Sequence, residues 1–365
     1  MAEKILMHVG PSRGNIEISE SAAVHDQGFS SSDFSEKMKY ALNGILKISG
    51  AVNGYKPFII PGSGTAAMES LTTFLSPGDS ILVLSHGTFG DRWRSIFSRY
   101  PVKVNVLRSA PGKHLSLGDI KKAVSGQHYR MAVMTHVETS TGLRADLKAI
   151  IETVRDFADI VVVDSVASLG GEKLCLASLG IDVTVSASQK AIGAAPGAGI
   201  IVASSEIIGQ ARDGGLSGYF LNLLNWDPVM EKFMDGSWGY FATPPIGVIY
   251  TMAKAIELMS QEGMENRIKR HSRLSSLLRD GIESMGLNIV AESPYRSNTV
   301  TGVYLRNIDS PEFIKKCLDF GVEFADGAIP ELRGKYFRIG HMGWVQESDI
   351  RMSLHAIEKA LNEFK

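Results

Sequence analysis

Between residues 56 and 205, short apolar runs alternate with amphipathic stretches: Phe58-Ile59-Ile60, Ser80 to Leu84, Val102 to Leu107, Met131 to Thr135, Ile160 to Val163, Val183 to Ser186 and Gly199 to Ala203. The runs are rich in β-branched residues and too short for helices, so each reads as a buried strand. Seven strands separated by helical segments predict an α/β fold with a wound, mostly parallel sheet between helical layers. One helix is expected to open at Ser63-Gly64-Thr65, and another to run from Asp146 to Phe157.

After residue 206 the pattern changes. A loop-rich stretch extends from Gly214 to Pro245, and long helical periodicity follows over Gly247 to Glu262 and Met264 to Met285. Strands are predicted at Asn298 to Leu305 and Lys335 to Ile339, with helices over Ser310 to Phe320 and Glu347 to Glu363. This is an α+β pattern suited to a smaller C-terminal domain packed beside the first.

Composition narrows the chemistry. The 38 basic residues stand against 39 acidic ones, so no basic field is present to attract nucleic acid or an anionic membrane. A small-molecule partner is the expectation. The two cysteines, Cys175 and Cys317, lie far apart and show no metal-ligand spacing, and both read as ordinary core or near-core thiols. The apolar runs are strand-length and the first residues do not resemble a signal peptide, so no membrane association and a cytoplasmic location are expected.

Three segments carry candidate chemistry. In Ser186-Ala187-Ser188-Gln189-Lys190-Ala191-Ile192-Gly193, one lysine follows a buried strand among small apolar residues, where desolvation favours its neutral, nucleophilic form. A surface lysine at a strand end fits this segment equally well. In Ile160-Val161-Val162-Val163-Asp164, four aliphatic residues deliver an aspartate to the carboxyl end of a strand, the edge at which open α/β sheets bind ligands. Such an aspartate also serves elsewhere as a helix cap or metal ligand. The turn Gly62-Ser63-Gly64-Thr65 offers amides suited to a phosphate, although it matches neither the P-loop nor the dinucleotide pattern.

In this order, with about 100 residues from turn to aspartate and 26 from aspartate to lysine, the segments resemble the class V, fold-type I aminotransferases, most closely the alanine–glyoxylate and serine–pyruvate group. The likeness extends through Val9-Gly10-Pro11-Ser12, Gly87-Thr88-Phe89-Gly90-Asp91-Arg92-Trp93, His136-Val137-Glu138-Thr139-Ser140 and Phe337-Arg338-Ile339-Gly340. It implies a pyridoxal 5′-phosphate cofactor bound to Lys190 as a Schiff base, with Asp164 at the pyridine nitrogen. It further implies that Ser63, Gly64, Thr65 and Gln189 hold the phosphate, that Phe89 and Val166 contact the cofactor, and that Ser140 supplies a hydroxyl near its phenolic oxygen. Arg338 would clamp the substrate carboxylate, while Gly10 and Pro11 would shape the pocket.

Tyr240 and Thr243 match a family segment that reaches the neighbouring subunit's cofactor, which implies a homodimer. The resemblance also implies an arm over the active site at 1–20, a large cofactor domain at 21–255 and a small domain at 256–365. The expected activity is ping-pong transfer of an amino group from alanine or serine to glyoxylate or pyruvate. A 2-aminoethylphosphonate transaminase, a cysteine desulfurase-like lyase and a non-catalytic binding protein stand as alternatives. One departure from the family is His25-Asp26-Gln27-Gly28-Phe29-Ser30-Ser31-Ser32-Asp33-Phe34, which leaves substrate preference open.

Overall fold

The seven strands expected between residues 56 and 205 all form, and they lie in one sheet. In the computed structural model, which describes residues 4–23, 28–51, 53–211 and 215–364, they are β1 (Tyr55–Pro61), β2 (Ser80–Ser85), β3 (Lys103–Arg108), β4 (Tyr129–Thr135), β5 (Ala158–Asp164), β6 (Val183–Ala187) and β7 (Ala198–Ser204). Their order is β1-β7-β6-β5-β4-β2-β3, and only β7 runs antiparallel to its neighbours. The central strands are buried on both faces, which is why they read as unbroken apolar runs rather than alternating ones.

Helices cover the sheet. The first long one, α1 (Ser32–Ser49), starts where the Ser31 side chain accepts from the Phe34 amide and ends at left-handed Gly50. It is followed by α2 (Gly64–Ser70) after β1 and α3 (Thr88–Phe97) after β2. Between β4 and β5 the helix expected from Asp146 appears as α4 (Leu147–Val154), with Asp146 accepting from the Ala149 amide and a 3₁₀ turn completing the segment to Phe157.

The stretch from 214 to 245, expected to be loop, contains a helix, α5 (Leu223–Met234). Pro228 and the polar residues around it hid the apolar stripe of Leu223, Trp226, Val229, Met230 and Phe233, which the structure buries. The long periodic segment divides into α6 (Ile246–Glu262) and α7 (Met264–Ser284), because Gly263 takes φ +77° between them.

A second sheet, wholly antiparallel, joins β8 (Asn288–Ile289), β9 (Val300–Tyr304), β10 (Ala325–Asp326) and β11 (Tyr336–Gly340) in the order β8-β9-β11-β10. Helices α8 (Ser310–Asp319) and α9 (Glu347–Glu363) pack with it. Two large apolar clusters and two smaller ones result among the described residues. Of the large ones, the first surrounds the large sheet, and the second gathers Leu274, Leu278, Phe313, Phe337 and Ile357. Ile5 and Met7 belong to the second cluster, since Ile5–Leu6 pairs in parallel with Val322–Glu323. From there the N-terminal segment leads to Val9, which packs in a smaller cluster with Val137, Ala191 and Val300.

No helix among the described residues is long and apolar enough to cross a membrane.

Candidate active site

The parallel strands of the large sheet end on one edge, and the loops leaving that edge enclose a cavity of about 250 Å³ lined by Ser63, Gly64, Thr65, Phe89, Asp164, Val166, Gln189 and Lys190. Eight residues singled out from sequence thus converge from four separate segments. Met68, Arg92, Thr135, Val137 and Thr139 complete the wall.

Asp164 ends β5 and is 4% exposed. One carboxylate oxygen accepts from the Val166 amide at 2.9 Å, and the other has only a long 3.5 Å contact with the Thr135 hydroxyl. Burial pushes its pKa up to about 7; the Val166 amide, Arg92 and Lys190 oppose the rise, and Glu138 adds to it. A carboxylate so poorly served by its own chain calls for a cationic donor in the cavity.

Lys190 lies three residues beyond β6. Its Nζ donates to the Val9 carbonyl at 2.6 Å. Burial brings the amine's pKa down to about 8, with Arg338 and Arg92 pushing the same way and Asp164 pulling back. The neutral, nucleophilic form is therefore far more accessible near neutral pH than in an ordinary lysine.

The N-terminal loop closes over this amine. Gly10 takes φ +133°, and a Cβ there would lie 2.1 Å from Nζ of Lys190. The next residues fix the lysine's backbone: the Ser12 amide donates to the Gln189 carbonyl at 3.0 Å and its hydroxyl to the Lys190 carbonyl at 2.8 Å.

Across the cavity, Ser63 caps α2 without a side-chain bond, which leaves its hydroxyl available. Gly64 lets Val166 approach closely, since a Cβ on it would meet Cγ2 of Val166 at 2.9 Å.

Phe89 opens α3, and its position is set by Glu138. That buried carboxylate accepts from the amides of Phe89, Gly90 and Ser140, and from the Ser140 hydroxyl at 2.5 Å. Ser140 accordingly stands behind the cavity wall rather than in it, because its hydroxyl proton is drawn to Glu138.

Arg338 sits in the middle of β11, 9% exposed, with Nε donating to the Asp326 carbonyl at 2.7 Å and Nη1 to the Thr139 carbonyl at 3.3 Å. These bonds orient the guanidinium, and its charge is felt at Lys190.

Tyr240 and Thr243 do not reach the cavity of their own chain. Both are exposed, and the Tyr240 ring stacks on Phe29 at 5.0 Å. Of the divergent segment, His25, Asp26 and Gln27 lie outside the described residues, while Phe34 packs in the core against Phe233.

Arg92 was not singled out from sequence. Its Nη1 donates to the Thr65 hydroxyl at 3.0 Å, and its guanidinium lies 4.7 Å from the centre of the Phe89 ring. The signal was available, since three residues after Phe89 on one helix is the same face.

A strand-end carboxylate and a desolvated lysine face one cavity at the carboxyl edge of the large sheet, and the charge of Arg338, held in the second sheet, is felt at that lysine. The family model of the class-V aminotransferases matches residues 19–354, and the chain belongs to that family. It is 35% identical over 310 residues to alanine–glyoxylate aminotransferase 1 of Saccharomyces cerevisiae, covering 81% of this chain and 80% of that protein. Serine–glyoxylate aminotransferase of Arabidopsis thaliana is 31% identical over 335 residues, covering 89% and 82% of the two chains. The crystal structure of alanine–glyoxylate aminotransferase from a Nostoc species superposes with a TM-score of 0.92 at 28% identity, covering 99% of this chain and 96% of that one.

Proposed function

We propose that the protein is a pyridoxal 5′-phosphate enzyme that moves the amino group of alanine or serine to glyoxylate or pyruvate in two half-reactions. The observation that carries this reading is the enclosure of a buried carboxylate and a desolvated amine in one cavity.

The residues suit that cofactor. Asp164 lacks a strong partner for one oxygen and can hold a protonated ring nitrogen; Phe89 and Val166 offer apolar surfaces for the ring; Ser63, Gly64, Thr65 and Gln189 offer donors for a phosphate. When bound, pyridoxal phosphate supplies an aldehyde for Lys190 and an electron sink for the substrate's α-carbon.

The remaining work falls to the protein. Lys190 would hold the aldehyde and, once displaced by an incoming amino group, its neutral amine would be placed to take the proton from the substrate Cα and later give it back. Arg338 holds the α-carboxylate through paired charge-assisted hydrogen bonds. Gly10 and Pro11 close the pocket over the amine. Ser140 acts one layer back, through Glu138 and the Phe89 turn.

Exposed Tyr240 and Thr243 suit a homodimer in which each subunit completes the partner's phosphate site. We place the enzyme in the cytoplasm, with an arm at 1–20, a large domain at 21–255 and a small one at 256–365.

Sulfur transfer is disfavoured. Cys317 is buried in α8, where burial pushes its thiol up to about 12, and neither cysteine lines the Lys190 cavity.

The test is a spectrum of the purified protein with pyridoxal phosphate, followed by alanine, serine and 2-aminoethylphosphonate as donors. A visible band that alanine or serine bleaches, and that glyoxylate or pyruvate restores, is expected; Lys190→Ala should lack it. A protein that stays colourless would end the proposal, and bleaching by aminoethylphosphonate alone would move the activity to phosphonates.

A further inference from the structure

Helix α7 carries an arginine with no part in the cavity. Arg267 is fully buried, yet its guanidinium finds a partner on every side. Nε donates to the Gly170 carbonyl at 2.9 Å, and Nη2 donates to the carbonyls of Ala191 and Gly343 at 2.9 and 3.1 Å. Nη1 donates to Glu262 at 2.9 Å, and the flat face lies 4.3 Å over the Trp344 ring.

The three carbonyls belong to three different parts of the site. Gly170 is six residues beyond Asp164, Ala191 adjoins Lys190, and Gly343 is five residues beyond Arg338. One rigid planar group therefore ties together the backbone segments that carry the carboxylate, the amine and the carboxylate clamp. Trp344 strengthens the tie from the other side. Its indole nitrogen donates to the Gly193 carbonyl at 3.2 Å, in the turn just after Lys190.

A fully buried guanidinium is costly. Burial brings its pKa down to about 10, and neighbouring Arg270 adds to the fall, while Glu262 opposes it. Apolar side chains of similar volume could fill such a space without that cost. What they could not do is bond three carbonyls in fixed directions, and neither could a lysine, whose single nitrogen lacks the planar fork.

We propose that Arg267 is a positioning residue, setting Lys190 against Asp164 and Arg338 by locking the three segments in register; this rests on the transaminase reading above. The lysine amine feels opposing influences from Asp164 and Arg338 and depends on exclusion of water. Loosening the lock admits water, and the amine reverts toward its ordinary basicity.

The experiment compares wild type, Arg267→Lys and Glu262→Gln. Each apoprotein is mixed with pyridoxal phosphate across pH, and the rate of appearance of the visible band reports the fraction of neutral Lys190. Steady-state kinetics with alanine and a thermal melt accompany it. Arg267→Lys should raise the pH midpoint of capture by half a unit or more and lower kcat/KM at least tenfold, mainly through kcat. Glu262→Gln keeps the fork but removes its charged anchor, and should shift the midpoint the same way by less. A lower melting temperature in Arg267→Lys with an unchanged midpoint and kcat/KM overturns the proposal. If Arg267→Lys does not fold, an unchanged midpoint in Glu262→Gln overturns it and a raised one supports it. Failure of wild type to take up the cofactor would instead strike the functional reading itself.

Discussion

The amine of Lys190 donates to the backbone carbonyl of Val9 at 2.6 Å, so the wall around this lysine is built partly from the N-terminal segment, 181 residues away in sequence. The neighbouring Gly10 has no room for a side chain, since a Cβ would lie 2.1 Å from Nζ and 2.5 Å from Cε. Its φ of +133° adds a backbone penalty for any other residue. Gly10→Ala should therefore displace the lysine and weaken pyridoxal phosphate capture at least tenfold, read by absorbance titration. Wild-type capture by this variant would show that the loop is free to move away.

Asp164 predicts an unusual pH dependence. Its folded pKa is raised by burial from 3.8 to about 7, so the folded chain holds this proton more tightly than the unfolded one. The resulting stability is complete below 3.8 and is lost as pH rises through about 7, by at most roughly 4 kcal/mol. Apoprotein carrying Asp164→Asn should lack this component and melt higher than wild-type apoprotein above pH 7. The order should invert with pyridoxal phosphate present, because only the carboxylate can balance a protonated ring nitrogen. Melting curves of both forms across pH check it, and identical apo profiles for the two proteins would refute the burial argument.

The large sheet and the positions of Asp164 and Lys190 were legible because the physics there is local, whereas Phe89, Val166 and Gln189 were named through the family likeness. A strand buried on both faces must be apolar throughout, and loops at the carboxyl edge carry Asp164 and Lys190. What escaped depends on distant pairing or masked periodicity. Ile5–Leu6 is too short to show a pattern and forms only because Val322–Glu323 lies beside it. Helix α5 is interrupted in sequence by Pro228, although its apolar residues still share a face. Arg92 and Glu138 stand in segments that carry the family likeness, but their contacts exist only once folding brings one against Thr65 and the other under the Phe89 turn.

Glu138 offers a stability test that also reaches the site. Its carboxylate accepts four hydrogen bonds, from the amides of Phe89, Gly90 and Ser140 and the hydroxyl of Ser140. Glutamine presents an amide nitrogen where one oxygen accepted, so at least one buried donor loses its partner. Glu138→Gln should destabilise the fold by about 1–3 kcal/mol in chemical denaturation. Because the Phe89 turn loosens, cofactor affinity should fall as well. Weakened stability with unaltered affinity would separate Phe89 from the cofactor.

Arg338 supplies the sharpest kinetic prediction. Two of its nitrogens are occupied by the carbonyls of Asp326 and Thr139, which fixes the plane of the guanidinium before any substrate arrives. A lysine keeps the charge but cannot present two parallel donors to a carboxylate. Charge-assisted hydrogen bonds contribute about 1.5–3 kcal/mol each, so losing one should raise KM for alanine roughly ten- to a hundredfold. The substrate carboxylate takes no part in bond breaking at Cα, so kcat should change much less than KM. Arg338→Lys therefore separates the clamp from the proton-transfer machinery, provided the cofactor's visible band and its pH midpoint stay at their wild-type values. A variant that loses kcat while retaining KM would mean that Arg338 acts on the Lys190 amine, whose basicity it already lowers, rather than on the substrate.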